Sequence, residues 1–229
     1  MTTTTRDAID TPTLKTRPHV AVKYATEAIG TLFLVFTIGA SVRGGDPLAP
    51  LAIGAVLMAM IYAGGHVSGA HYNPAVTLAV LVRRRIDLRD AIGYWVAQLA
   101  GALVAAAVVA AVVPQGQTAA SALSGHAMLA AVVVEFLFTF ALCYVVLNVA
   151  TSKAHHGNSF YGLAIGFTVL AGAVGVGKIS GGAFNPAVVL GGIAMGTLSG
   201  SVLWTYVAAE MLAGLAAGLA FLAINPDDK

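Results

Sequence analysis

The chain has 229 residues, of which 58% are hydrophobic and only 10% are charged, and its mean hydropathy is +0.85. This apolar content exceeds that of a soluble globular domain and therefore excludes that class. The net charge of +2 gives no indication of a nucleic-acid partner, and the single cysteine, Cys143, excludes an internal disulfide.

The first predicted element is a polar tail at residues 1–18, which is rich in threonine. We expect this tail to be disordered and not a cleavable signal peptide, because it lacks an apolar stretch of ~7–15 residues. Apolar runs near the ~20 residues that cross a bilayer then recur along the chain. We predict one membrane domain over residues 19–229, with spans at about 22–42, 51–68, 89–113, 127–149, 159–176 and 199–223.

The tripeptide Asn-Pro-Ala occurs in two of these apolar stretches, as Asn73-Pro74-Ala75 and as Asn185-Pro186-Ala187. The surrounding segments, SGAHYNPAV and SGGAFNPAV, are identical at six of nine positions. Asparagine is a preferred helix N-cap and proline is favoured at the first helical position, so each copy predicts a helix start. About ten residues follow before the next break, which makes ~15 Å of helix, half the thickness of the hydrocarbon core.

The two tripeptides belong to a longer internal repeat. The separation in sequence between Asn73 and Asn185, which we call the repeat offset, also brings Leu51-Ala52-Ile53-Gly54 onto Leu163-Ala164-Ile165-Gly166. Each half holds three spans, an odd number, so the halves must insert in opposite orientations. We therefore predict an all-α membrane protein with six transmembrane helices and two re-entrant half-helices in an inverted 3+3 repeat. Repeat 1 covers about 20–113 and repeat 2 about 127–223.

The basic residues predict the orientation in the membrane. Six spans place both termini on one side, and ten of the twelve lysines and arginines fall on that side. Only Arg43 and Lys178 fall on the other. By the positive-inside rule, both termini are expected to be cytoplasmic.

Each Asn-Pro-Ala copy follows a short segment of mostly small residues, Gly69–Tyr72 and Gly181–Phe184. Non-helical backbone at membrane depth is either packed inside protein or lines a water-filled cavity. The same arrangement in both copies favours a pore. The backbone carbonyls that we expect to line it belong to Gly69, Ala70, His71, Gly181, Gly182 and Ala183.

Three glutamates lie within apolar spans, where an unpartnered carboxylate is costly. Glu27 and Glu135 occupy the first span of each half. They are candidates for a proton or cation relay or for scaffold residues that accept hydrogen bonds from the re-entrant loops, and their symmetric placement favours the scaffold. Glu210 has no counterpart in the first half and is expected to be internally paired or near an aqueous vestibule.

With both Asn-Pro-Ala boxes, Glu27, Glu135 and the segment Tyr94-Trp95-Val96-Ala97-Gln98, the chain resembles the aquaporins, or major intrinsic proteins. The resemblance covers nearly all of the chain after residue 20. It implies a bundle of six helices and two half-helices, a narrow pore in each subunit and a homotetramer in the plasma membrane. It also implies that Asn73 and Asn185 direct their amide groups into the pore.

A solute at the centre would accept hydrogen bonds from these two amides, and a water held there would interrupt a proton wire. The positive ends of two half-helix dipoles repel cations at the same place. No reacting constellation or phosphate-binding glycine loop is visible, so neither an enzyme nor a cofactor is expected.

The outer constriction departs from the usual pattern of the family, in which an arginine directly follows the second Asn-Pro-Ala. Here that position is Val188, and distances from each asparagine place Ile53, Ala173 and Gly182 at the other three positions. The resulting ring is small and apolar, and it resembles that of plant vacuolar members associated with water, ammonia and urea. Val189 replaces the acid that marks glycerol facilitators, so specialisation for glycerol is disfavoured.

The sequence thus predicts a passive channel for water and small neutral solutes, among which ammonia, urea, hydrogen peroxide and glycerol are candidates. A secondary transporter is the alternative, because inverted repeats with broken helices also suit alternating access. A structural junction protein with an occluded pore is a weaker third possibility.

Overall fold

The computed structural model describes residues 19–114 and 122–228, so the tail expected at residues 1–18 lies outside the described residues. Six helices in the described part are long and apolar enough to cross a membrane, and two further α-helices are short. This architecture confirms the predicted all-α membrane fold. In chain order the helices are α1 (Val20–Arg43), α2 (Ala49–Ser68), α3 (Pro74–Val82), α4 (Leu88–Val112), α5 (Gly125–Val146), α6 (Tyr161–Ser180), α7 (Pro186–Ala194) and α8 (Leu203–Ile224).

The ends of the long helices lie within four residues of the predicted spans, and the difference at the end of α6 has a local cause. The prediction ended this span at residue 176, whereas the helix continues to Ser180. The polar Lys178 lowers the hydropathy of the last turn, but the helix continues until Gly181 turns the chain away in a left-handed conformation with φ 92°.

The short helices α3 and α7 have nine residues each, and both begin as the sequence predicts. The Asn73 side chain caps α3 by accepting from the backbone N–H of Ala75 at 2.8 Å. The Asn185 side chain caps α7 by accepting from the backbone N–H of Ala187 at 2.9 Å. Nine residues make roughly 14 Å of helix, so neither spans a bilayer alone.

The packing repeats between the two halves of the chain. Helix α1 packs on α2 and α4, and in the same way α5 packs on α6 and α8. The halves are joined where α2 meets α6. Each half-helix also packs against the last long helix of the other half, since α3 contacts α8 and α7 contacts α4. The half-helices are therefore held within the bundle and away from lipid.

The contact between α2 and α6 depends on two glycines. A Cβ at Gly166 would lie 2.5 Å from the carbonyl oxygen of Gly54, and a Cβ at Gly54 would lie 2.8 Å from the carbonyl oxygen of Gly166. Small residues let helix backbones approach closely in membranes. Because backbone stands on both sides, neither contact can be relieved by a change of rotamer.

We expect Gly166→Ala to lower the thermal stability of the detergent-purified protein, because overpacking a close contact costs about 1–3 kcal/mol. The matched control is Gly175→Ala on the same helix, where a Cβ would meet nothing within 4 Å. We expect the control to unfold at the wild-type temperature, as followed by tryptophan fluorescence. An equal loss in both variants would contradict the close contact.

A polar cluster joins three chain segments at the face where α8 ends. The Asp228 carboxylate accepts from Arg83 at 2.7 Å, from the Ser152 hydroxyl at 2.8 Å and from the Lys153 amide at 2.9 Å. Partial burial raises the pKa of Asp228, but these donors lower it by more, to about 2. The buried Arg83 also lies over the Phe221 ring at 4.3 Å. The cluster fixes the ends of α3, α5 and α8 to one another.

Candidate functional site

The N-terminal ends of α3 and α7 meet in the centre of the bundle, and hydrogen bonds join the two repeats there. The Asn73 side-chain nitrogen Nδ2 donates to the carbonyl oxygen of Phe184 at 2.8 Å. The Asn185 Nδ2 donates to the carbonyl oxygen of Tyr72 at 2.9 Å. A primary amide has two N–H groups, so each asparagine keeps one N–H for a solute. The sequence analysis did not predict these two bonds between the repeats.

A narrow cavity of about 30 Å³ runs past this meeting point. A cavity must exceed ~10–15 Å³ to hold a water molecule, so this one takes water-sized molecules but is not a wide channel. The predicted residues that line it are Ile53, Ala70, His71, Asn73, Gly182, Ala183, Asn185 and Val188.

Most of the rest of the cavity wall is apolar and comes from four long helices, α1, α2, α5 and α6, while Val76 of α3 and the loop residues Tyr72 and Phe184 complete it. Polar groups are therefore concentrated at the two asparagines, the backbone beside them and His71. The apolar residues that the long helices contribute are Leu34, Ile38, Leu57, Ile61, Leu142, Val146, Ile165 and Val169.

Three predicted residues are not among those that line this cavity. Gly69 lines two adjoining cavities, of about 440 and 760 Å³, near the end of α2. Gly181 follows the end of α6, and Ala173 is a neighbour of Gly182, with its Cα 3.6 Å from where a Gly182 Cβ would stand. Counting residues from Asn185 does not reveal this close approach.

Glu27 holds the first re-entrant loop in place. Its Oε1 accepts from the Ser68 hydroxyl at 2.7 Å and from the His71 amide at 2.9 Å. Its Oε2 accepts from the Tyr72 amide at 2.7 Å and from the Gln98 side chain at 2.9 Å. Four donors converge on one fully buried carboxylate, which supports the scaffold interpretation over a relay.

The backbone that Glu27 holds is strained, because Ala70 and Tyr72 have φ values of 52° and 50°. Non-glycine residues seldom adopt this left-handed region, and surrounding contacts must stabilise it. Phe184 has the corresponding φ of 49° in the second loop. The two loops therefore present the Tyr72 and Phe184 carbonyls to the asparagines through the same unusual conformation.

Glu135 holds the second loop, accepting from the Ala183 amide at 3.0 Å and from the Phe184 amide at 2.6 Å. Glu210 adds a third backbone contact, because its Oε1 accepts from the Asn185 amide at 2.9 Å. The expectation that Glu210 has no counterpart needs correction. Gln98 precedes Glu210 by the repeat offset. Gln98 contacts Glu27, which holds the first loop, and Glu210 lies beside Glu135, which holds the second.

Two tyrosines complete the loop supports, and neither was predicted from the sequence as a site residue. The Tyr94 hydroxyl donates to the Ser68 carbonyl at 2.5 Å, and the Tyr206 hydroxyl donates to the Ser180 carbonyl at 2.8 Å. Both are buried, and they too are separated by the repeat offset. That offset, applied to α4 and α8, would have identified these residues.

Comparisons with known proteins agree with this geometry. Residues 14–221 match the family model described as Major intrinsic protein. The chain is 39% identical over 217 residues to Glycerol uptake facilitator protein-like 6 of Lactiplantibacillus plantarum, covering 90% of this chain and 99% of that protein. It is 38% identical over 217 residues to Aquaporin NIP2-1 of Oryza sativa subsp. japonica, covering 82% of this chain and 70% of that protein.

A solved structure shares the fold. The X-ray structure of the aquaglyceroporin from Plasmodium falciparum superposes with a TM-score of 0.74 at 23% sequence identity. The match covers 89% of this chain and 96% of that one. It supports the arrangement of six long helices and two half-helices.

Proposed function

The chain belongs to the major intrinsic protein family, and we propose that it is a passive membrane channel for water and small neutral solutes that excludes protons and ions. The observation that carries this proposal is the meeting of α3 and α7 at Asn73 and Asn185 beside one narrow cavity. The names of the bacterial and rice relatives, a glycerol uptake facilitator-like protein and an aquaporin, support the same class of solute.

The mechanism depends on the free N–H of each asparagine. A water at the centre accepts from Asn73 and Asn185, so its own hydrogens point outward along the pore. No chain of hydrogen bonds then continues in one direction through the centre, and protons are not relayed. Each half-helix N-terminus also carries roughly half a positive charge, which repels cations at the same point.

The outer constriction sets the range of solutes in this proposal. We assign it to Ile53, Ala173, Gly182 and Val188, of which all but Ala173 line the cavity. These side chains carry no charge and no hydrogen-bond donor, so neutral solutes larger than water are not excluded by a fixed cation. Ammonia, urea, hydrogen peroxide and glycerol are therefore the candidates to measure beside water.

A passive channel is favoured over a transporter because hydrogen bonds join the two repeats at the centre of the molecule. Alternating access requires the two repeats to move relative to each other around the site. Here Asn73 and Asn185 each donate to a carbonyl of the opposite repeat, at 2.8 and 2.9 Å. Moving the repeats apart would break both bonds in a buried site.

The remaining parts of the proposal concern the setting of the channel. We place the protein in the plasma membrane as a homotetramer, with residues 19–229 as the channel domain. Both termini lie in the cytoplasm in this arrangement, because ten of the twelve basic residues then face inward. Lys178, which is exposed, stands at the external end of α6.

Purified protein in liposomes tests the proposed function by stopped-flow measurement of osmotic shrinkage and solute uptake. We expect water flux with a low activation energy and solute flux that does not saturate with concentration. Protein-free liposomes of the same lipid are the control. Saturable flux with a high activation energy would indicate a transporter, and no flux of any solute would indicate an occluded pore.

A further inference from the structure

Two carboxyl groups, those of Glu135 and Glu210, meet beside the second loop. Both residues are fully buried, and their carboxyl groups lie within hydrogen-bonding reach of each other. None of the three ion pairs among the described residues involves either group. Ionised carboxylates only accept hydrogen bonds, so a bond between two of them requires a proton.

The first half of the molecule shows what this position requires. Glu27 is surrounded by four donors: the Ser68 hydroxyl, the His71 and Tyr72 amides, and the Gln98 side chain. Every group that faces Glu27 is thus a donor, and the carboxylate is satisfied without a cation. Gln98 supplies the only one of the four that comes from α4.

The second half has a similar set of groups around Glu135. Its carboxylate accepts from the Ala183 and Phe184 amides, and Ser180 stands at the position that Ser68 has in the first half. The partner in the place of Gln98 is Glu210, on α8. It fills the position of a donor and can donate only as a carboxylic acid.

The number of donor hydrogens that the position needs also agrees with a carboxylic acid at Glu210. Gln98 donates twice, to Glu27 at 2.9 Å and to the Thr77 hydroxyl at 3.0 Å. In the second half the repeat offset places Val189 in the position of Thr77. Valine has no side-chain acceptor, so Glu210 has only Glu135 to donate to. A carboxylic acid has a single O–H, which is sufficient for this one acceptor.

The contacts indicate which carboxyl holds the proton. Both oxygens of Glu135 accept from backbone N–H groups, at 3.0 and 2.6 Å. The Glu210 Oε1 accepts from Asn185, whereas its Oε2 meets no N–H or O–H donor among the described residues. The other ionisable side chains near the pair are Cys143 and Tyr206, and neither is a cation.

We propose that Glu210 is a neutral carboxylic acid at neutral pH, donates its proton to Glu135 and so positions the second Asn-Pro-Ala loop as Gln98 positions the first. Glu210 is a positioning residue, because it contacts the Asn185 backbone and is not among the residues that line the cavity. Two carboxylates in contact at low dielectric would repel strongly, and a shared proton removes that repulsion. The inference rests on the proposed channel only for its flux measurement.

Infrared spectroscopy of the protein in lipid at neutral pH tests the proton directly. A carboxylic acid has a C=O stretch separate from the carboxylate bands, and we expect Glu210→Gln to remove one such band from the wild-type spectrum. The control Asp227→Asn, at an exposed acid, should leave that band unchanged. A wild-type spectrum without it, or a band that survives Glu210→Gln, would overturn the assignment.

Flux and thermal stability test the positioning role. We expect Glu210→Gln to keep wild-type water permeability but to unfold at a lower temperature, because the second N–H of the new glutamine side chain lacks an acceptor. The double variant Val189→Thr with Glu210→Gln rebuilds the first-half network and should recover that temperature, with Val189→Thr alone as the control.

Glu210→Leu should lose permeability, and wild-type behaviour of this variant would overturn the proposal. A wild-type protein without flux would contradict the proposed channel and leave the infrared result to decide this inference.

Discussion

Replacement of Glu27 by alanine is expected to prevent the protein from folding into a stable channel. Four buried donors lose their acceptor at once, namely the Ser68 hydroxyl, the Gln98 side chain and the amides of His71 and Tyr72. Each unsatisfied buried group costs about 1–3 kcal/mol. The sum is comparable to the ~5–15 kcal/mol that stabilises a typical protein. Size-exclusion chromatography in detergent should show little monodisperse protein, and liposomes should show no added water flux.

The variant Glu27→Gln sharpens this test. Both carboxylate oxygens of Glu27 face only donors, so an amide nitrogen at either position meets a donor and leaves it unpaired. We therefore expect Glu27→Gln to unfold at a lower temperature than Glu210→Gln, although the chemical change is the same. Asp227→Ala, at an exposed acid, serves as the surface control. Equal unfolding temperatures for the two glutamine variants would show that Glu27 and Glu210 do not differ in protonation.

The half-helices were predictable from the sequence because their signals are local. The N-cap and the first helical position are adjacent in Asn73-Pro74 and in Asn185-Pro186, and the observed caps use these residues. The inverted repeat was equally accessible, since it needs only a constant repeat offset and an odd number of spans. These features can be recognised from short segments of sequence and from the number and spacing of the spans.

The contacts between the repeats could not be predicted in this way. The Asn73 bond to the Phe184 carbonyl joins residues 111 apart in sequence, and it depends on the left-handed backbone at Phe184. The local sequence does not predict a left-handed conformation at an aromatic residue. The role of Glu210 was missed for a related reason, because its counterpart is an amide and a search for matching acids passes over Gln98.

The apolar wall of the cavity was also inaccessible to sequence reasoning. Residues that face lipid and residues that face the cavity are both apolar, so hydropathy does not separate them. Leu137 is 54% exposed on the outer surface of α5, whereas Leu142 on the same helix lines the cavity. Only the packing of the helices around α3 and α7 distinguishes the two.

The substitution Val188→Arg is expected to change selectivity more than any other at the proposed constriction. Val188 is 4% exposed and lines the narrow cavity with Ile53 and Gly182. An arginine there adds bulk and a fixed positive charge to a ring that carries neither. We expect urea and ammonia permeability to fall about tenfold, which corresponds to ~1.4 kcal/mol added to the barrier, and water permeability to fall less. Stopped-flow measurements on liposomes with matched protein content give the three values.

Val188→Met separates the two causes, because methionine adds length without charge. If size alone sets the range of solutes, Val188→Met should reduce urea permeability as much as Val188→Arg does. If the charge and its hydrogen-bond donors matter, only the arginine variant should also suppress ammonia, a molecule close to water in size. An equal reduction for all three solutes in the arginine variant would contradict the assignment, since a residue of the selective ring must discriminate between them. Because Val188 lies three residues after Asn185 on α7, near the centre of the molecule, thermal unfolding of each variant must first match the wild type.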